Sequence, residues 1–574
     1  MKFVFRSLFI AIALCSTLSL SQLSVAAQET IEEKPQIAQR LDSALKKIRA
    51  TQAEVKNEPA PTVNSTDNTS VLNRIGTDPA QTQTLSLTEA IRKALENNNS
   101  IEIARDDVRI AETQLRSLQG VYDPVFTVSP TYSNNVQPQT STLGGAGSTG
   151  STQSDNFTVN SSFNKILKKG GGNYNVFFDN SRSSTSSTFS QFNPTFNTNL
   201  GIQYTQPLFR NREIDGTRRQ IKIQRKRLEQ SDSDFRRQTI DVISQVQRAY
   251  WDLVFALRDQ QNKTANLNLS KENLRRVEAA ISAGKSAPLE RAEVSTELAN
   301  RETEVLVATQ QVSISENTLK TLLIKEPTSA EWNQSWVPTD APVFSMDSIN
   351  VQDAIKDAVD NRPELRRLRL QREINTIDLD YFRNQLKPRI DLNTSFTLIG
   401  LAGTSRGGAG TIPPQFIGGY FQSLGNLFKT ETRQFTIGAT ISIPFRNQTA
   451  KADLAGAEIQ KNQITAQARS QEQIIIAEVR NAVQAVETAR QRVLTSRRAR
   501  ENAEIQLNGE RKLYDVGRST TFLLFQRENA LTNARNSEIR AETDYNKAIS
   551  DLQKATSTTF RLNNIEIDSP VKDK

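Results

Sequence analysis

Chemistry needs groups that hold protons, electrons or metal ions, and this 574-residue chain offers few of them. It has no histidine, and its one cysteine, Cys15, lies in an apolar run near the N-terminus. Imidazole acid–base catalysis and Ser-His-Asp triads are excluded, and once an N-terminal leader that carries Cys15 is removed, so are thiolate nucleophiles and the usual zinc and copper ligand sets. Carboxylates remain, yet no acidic pair sits in a recognisable catalytic setting. Glu290 and Glu293 fall on one helix face, a spacing that a solvated surface shares. The chain reads as a non-enzyme without a cofactor.

The net charge is +9. The densest basic cluster is Arg210 to Arg227 in "RNREIDGTRRQIKIQRKR". Elsewhere basic and acidic residues alternate, as in "RRARENAEIQLNGERK", the pattern of a solvated helix face and not of a nucleic-acid surface. The first 27 residues have the layout of a secretory leader: Lys2 and Arg6, an apolar centre from Leu8 to Leu20, and Val25-Ala26-Ala27 as a small-residue cleavage site. After them no stretch approaches the roughly 18 apolar residues of a membrane-spanning helix. Residues 28–84 read as a flexible polar extension, with a short helix over Ile37 to Val55 as its one patterned element.

The elements that must position any functional residue recur. "LTEAIRKALENN" from Leu87 aligns with "VQDAIKDAVDNR" from Val351, and Ala90/Ala354, Asn97/Asn361 and Pro124/Pro388 all differ by 264 positions. "QPLFRN" (Gln206 to Asn211) matches "IPFRN" (Ile443 to Asn447), and Gly284/Gly517 and Leu298/Leu531 differ by 233. The chain is expected to be two copies of one unit, residues 85–324 and 349–556, joined by a linker at 325–348 and followed by a tail at 557–574. Each copy reads helix, strand, long loop, strand, very long helix, turn, helix.

In each unit a proline ends a helix and a two-faced strand begins. After Pro124, Phe126, Val128 and Tyr132 oppose Thr127, Ser129 and Thr131; after Pro388, Ile390, Leu392 and Phe396 oppose Asp391, Asn393 and Ser395. The returning strands end at Pro207 and Pro444. About ten such residues cross a bilayer when tilted. A half-buried sheet in a soluble domain shows the same alternation, but these strands are flanked by helices and long polar loops with no other element to cover an apolar face. With lipid on one face and a watery lumen on the other, the sheet must close, because lipid tolerates no open edge. Four strands are too few to close, since barrels start at about eight, so copies must combine. The long first loop holds two more alternating runs, "NFTVNSSFNK" and "NYNVFFDN", joined by "KKGGG". These are either a hairpin outside the membrane or an extra strand pair in the wall; the lack of a counterpart in the second unit favours the former.

From about Asn211 to Ala283 and Asn447 to Val516, helical pattern runs for roughly 70 residues, or about 105 Å per helix. Val479, Val486 and Val493 recur every seven, with Ala482 and Ala489 between them, a seam for close lateral packing. The remaining helices, Leu87 to Gln119, Val351 to Gln385, Ala287 to Leu323 and Thr520 to Thr556, are about half as long. Two laid end to end would match one long rod, with the linker as a belt at the break. A solid coiled-coil stalk would show the same seams.

These motifs, in order and duplicated, together with "YDVGRST" and "LTNARNSEIRAETDYNKAISDL", resemble the TolC-type outer-membrane efflux proteins over about residues 86 to 556. The resemblance implies a mixed α+β fold: a homotrimer with a 12-stranded barrel, four strands per chain, continued by a periplasmic α-helical tunnel. It implies export of drugs or proteins across the outer membrane of a Gram-negative-type cell, in tripartite efflux or type I secretion. The partners would be a periplasmic adaptor and an inner-membrane pump or ABC transporter. Gly284 and Gly517 would mark the helix tips where adaptors dock, a role beside that of plain helix stop, and Tyr514 would help hold a closed aperture. Relatives carry aspartates six and nine residues after the second glycine, where this chain has Leu523 and Gln526; Glu290 and Glu293 hold those offsets after the first. Competing readings are a coiled-coil spacer of the cell envelope and, less well supported, a periplasmic adaptor.

Overall fold

The structure, a computed structural model, describes residue 74 and residues 76–140, 145–146, 148, 150–284, 287–407, 412–429, 431–566 and 571. The leader and the helix expected over 37–55 lie outside these residues. All the described residues belong to the unit Arg74–Lys574.

Strand β1 (Asp78–Leu85) leads into helices α1 (Leu87–Asn97) and α2 (Asn99–Gln119). Ser86 caps α1 by accepting from the Glu89 amide, the Ser-x-x-Glu signature of a helix start. Asn98 caps α2 through the amides of Ser100 and Ile101, so the single helix expected over Leu87 to Gln119 breaks there. Strands β2 (Val125–Pro138), β3 (Ser151–Ile166), β4 (Asn173–Thr185) and β5 (Phe192–Pro207) follow, then α3 (Gly216–Ser282) and α4 (Pro288–Leu323). Strand β6 (Gln334–Pro338) precedes α5 (Val351–Asn361) and α6 (Pro363–Gln385), which part at Arg362 because Pro363 cannot continue the helix before it. The chain then forms β7 (Arg389–Ser405), α7 (Tyr420–Phe428), β8 (Arg433–Ser442), α8 (Gln448–Asp515), α9 (Thr521–Ala555) and α10 (Thr559–Leu562). At 67 and 68 residues, α3 and α8 each extend about 100 Å.

Two expectations need correction. Strands β2, β3, β4, β5, β7 and β8 form one antiparallel sheet in that order, so the sheet of the single chain has six strands and not four. The hairpin β3–β4 is inserted between β2 and β5, where its backbone groups pair on both sides. The extension also stops short of residue 84, because β1 pairs in parallel with β6 and ties the chain to the linker.

One rung of the sheet crosses all six strands as Phe126, Phe163, Val176, Ile202, Phe396 and Phe435. The adjacent rung, on the other face, carries Thr127, Ser162, Phe177, Gly201, Thr397 and Gln434; its one aromatic, Phe177, covers Gly201. Every residue of β2 and of β8 is exposed, so two unpaired edges and the apolar face beside them stand uncovered in the single chain. Helix α7 lies over the same face farther along β5 and β7, where Thr198 and Ala402 are buried and Ser423 donates to the Gly400 carbonyl at 3.0 Å.

The helical core has several parts. Trp336, Tyr250, Leu253 and Leu319 belong to a cluster joining α1, α2, α3, α4 and β6. Fully buried Lys320 donates to the carbonyls of Trp332 (2.8 Å) and Gln334 (2.6 Å) and pairs with Glu316 at 3.0 Å, which Arg74 also meets. Val479, Val486, Ala489 and Val493 are buried where α8 meets its neighbours, as the heptad spacing predicts, and Arg497–Glu542 and Arg500–Glu538 pairs at 2.6 Å flank that seam.

Candidate functional site

Two ends of the helices concentrate the residues that could serve a channel. At one end the strands become helices. Pro124 and Pro388 stand one residue before β2 and β7, Pro207 ends β5, and Pro444 lies just beyond β8. The duplicated "FRN" acquires a reason here: Asn211 and Asn447 both adopt left-handed backbone (φ 67° and 43°), which asparagine tolerates better than most residues. Gln385 binds both junctions, donating to Asn211 Oδ1 at 2.9 Å and accepting at its carbonyl from Asn447 Nδ2 at 3.3 Å. Asn384 Oδ1 accepts from the Asn211 amide at 2.7 Å.

Part of the basic cluster Arg210 to Arg227 is engaged in ion pairs near this collar of junctions. Arg218 pairs with Asp215 at 2.8 Å, Lys226 with Glu373 at 2.8 Å, and Arg219 with Asp378 at 2.6 Å while lying against the rings of Tyr381 and Phe382.

At the other end, α3 turns into α4 at Gly284 (φ +71°) and α8 into α9 at Gly517 (φ +73°). Nothing crowds either glycine, so only the backbone angle demands it; a side chain there costs about 1–2 kcal/mol. The Gly517 amide donates to the Tyr514 carbonyl at 2.9 Å. The Tyr514 ring packs with Leu507, Leu524 and Leu531 in the core of its own hairpin.

Glu290 lies in the first turn of α4, where the helix dipole favours an acid, and Glu293 is exposed one turn on. Neither makes an ion pair among the described residues. Glu293 and Gln526 share a cleft of about 570 Å³ with Phe522, Phe525 and Asn529, whereas Glu290, Leu523 and Tyr514 do not line it. Leu523 is partly exposed, its amide capped by Thr520 Oγ1 at 3.3 Å.

Two acids near this tip escape a reading by offsets from glycine. Glu297 accepts from Arg301 and from Asn529 of α9 (3.3 Å). Glu528 accepts from Asn273 of α3 (3.3 Å) and Arg511 of α8 (3.5 Å), and burial pushes its carboxyl up against the opposing pull of Arg511. Its signal was present: Leu524, Glu528 and Leu531 follow the helical spacing of a buried stripe, with an acid in the middle.

Among the described residues no helix is long and apolar enough to cross a membrane. The family described as "Outer membrane efflux protein" matches residues 90–323 and 354–558. No curated protein matches this chain. Among solved structures, a membrane protein from Pseudomonas aeruginosa superposes with a TM-score of 0.57 at 17% identity, over 82% of this chain and 90% of that one. The Campylobacter jejuni CmeC outer membrane channel gives 0.57 at 16%, over 84% and 90%. The open Neisseria gonorrhoeae MtrE outer membrane channel gives 0.54 at 18%, over 82% and 88%. At these identities the likeness is one of fold.

Proposed function

The chain belongs to the outer membrane efflux protein family, and from that membership we propose that three copies close their sheets into one barrel whose lumen continues between the long helices. As an outer-membrane efflux channel it carries its helices into the periplasm. The observation that carries closure between copies is the all-apolar rung from Phe126 to Phe435, on a sheet whose edges β2 and β8 have no partner in the single chain; the number three follows from the family membership. In hydrocarbon such edges must pair with other strands, and β8 of one copy runs antiparallel to β2 of the next, as closure requires. A coiled-coil spacer has no use for that face.

The two halves are read as copies of one unit, because the left-handed Asn211/Asn447 and Gly284/Gly517 pairs recur at matching junctions. The Gly284 and Gly517 tips are the docking points for a periplasmic adaptor, which joins the channel to an inner-membrane pump or ABC transporter. Tyr514, Leu523 and Gln526 lie near the tunnel mouth, and Glu290 and Glu293, three copies of each, supply its acidic ring.

The assignment is tested by fractionating cells that express the full chain, extracting with detergent, and measuring native mass and single-channel conductance. The expected result is an outer-membrane trimer that conducts. A water-soluble monomer would overturn the proposal.

A further inference from the structure

We propose that the outer-membrane wall of this channel has eighteen strands, six from each copy, with the β3–β4 hairpin inside the membrane as part of the conduit. The inference rests on the trimeric reading of the proposed function. It departs from the twelve strands that the family resemblance implies, and only the hairpin makes the difference.

Three observations carry it. First, the hairpin is no flap: β3 pairs with β2 from Val125↔Asn164 to Pro138↔Ser151, and β4 pairs with β5 from Asn173↔Thr205 to Ser183↔Thr195. Removing it would strip β2 of its one partner within the chain and β5 of one of its two. Second, the hairpin continues the two faces of the sheet. Val159 and Phe163 of β3, with Val176 and Phe178 of β4, stand on the face of Phe126 and Ile202, while Thr158, Ser162, Asn175 and Ser181 stand on the polar face. Ser161 interrupts that apolar face, and Asn180 and Arg182 follow on it towards the outer end. A hairpin in water has no need of an apolar stretch at the height of its neighbours' apolar residues, whereas one in the wall does.

Third, its inner turn is seated on the collar. Gly170 accepts from Gln206 Nε2 at 2.8 Å, Lys168 lies over the Tyr122 ring, and Gly171 sits so tightly that a Cβ would meet Arg218 Nη2 at 2.6 Å and the Asn211 carbonyl at 2.7 Å. The turn therefore ends level with the strand-to-helix junctions, and the hairpin spans the same height as its neighbours. Barrel diameter grows roughly linearly with strand number, so the wall is about half again as wide as a twelve-stranded one. The helix tips, not the outer-membrane section, then limit cargo size.

The test uses the full chain with Cys15 replaced by serine where it is retained, bearing single cysteines at Val159, Phe163 and Val176 or at Thr158, Ser162 and Asn175, purified and reconstituted in phospholipid vesicles. Bimane on the first set should be quenched several-fold more by brominated lipid than bimane on the second, and the second should react with a water-soluble thiol reagent. Uniform water access with no lipid quenching at both sets would place the hairpin outside the wall and overturn the proposal, even if native mass reports trimers. Quenching with the expected alternation but a native mass of two copies would overturn the count of eighteen and the trimeric reading together. A variant that fails to assemble is replaced by the next position on the same face, Ser161 or Asn160.

Discussion

Glu528 is the acid at the tips whose surroundings are most fully defined. Burial raises its carboxyl above the ordinary value of 4.5, despite Arg511 and Asn273. The native hairpin thus binds a proton more readily than the unfolded chain. Stability from this group is fullest below pH 4.5 and falls as pH rises through the raised value. Glu528→Gln, which carries no charge to desolvate, should remove that slope and leave amide exchange around 507–531 slower at pH 7 than in the parent; an unchanged pH profile would show that Glu528 does not control it. Glu290 and Glu293 act differently, since neither has an ion-pair partner among the described residues. If three copies of each ring the mouth, changing both to Gln should reduce cation preference in single-channel recordings without altering assembly. An unchanged reversal potential in a salt gradient would leave them as ordinary surface acids.

At the scale of elements, the rods were legible because their signals are local. The valine heptad marks a buried seam, Gly284 and Gly517 mark left-handed turns, and the four prolines mark helix-to-strand junctions, all set by residues within a turn or two of each other. What lay beyond reach was pairing. Alternation in β3 and β4 shows that each strand has two faces but not which strand lies beside it, and the missing counterpart in the second half gave no sign that the pair joins the sheet between β2 and β5. Strand β1, "DPAQTQTL", has almost no apolar residue to alternate; it exists because β6 pairs with it beside buried Trp336. The Asn98 break hid in the same fashion, since asparagine is tolerable within a helix; here its Oδ1 caps α2 through the Ser100 and Ile101 amides while its Nδ2 donates to the distant Leu322 carbonyl at 3.0 Å. The partly buried Glu528 shows the converse: the stripe was readable, but the partners on α3 and α8 come from hundreds of positions away or from the other side of a turn.

For the whole molecule, the decisive question is which face of the sheet meets lipid, and a pair of adjacent residues on β8 can answer it. Ile437 lies on the apolar face opposite Thr394, and Thr436 on the polar face opposite Ser395. Arginine facing lipid near the bilayer midplane costs about 2–4 kcal/mol, and in a symmetric trimer that cost arises three times, at an edge strand that must also pair with the next copy. Arginine facing a watery lumen costs far less and adds three positive charges to the pore. Ile437→Arg should therefore deplete trimers from the outer-membrane fraction, while Thr436→Arg should assemble normally and shift single-channel selectivity towards anions. The ordering follows from the alternation along one strand: a shift of one residue in register would exchange the two phenotypes, and equal tolerance of both substitutions would mean that β8 does not face lipid.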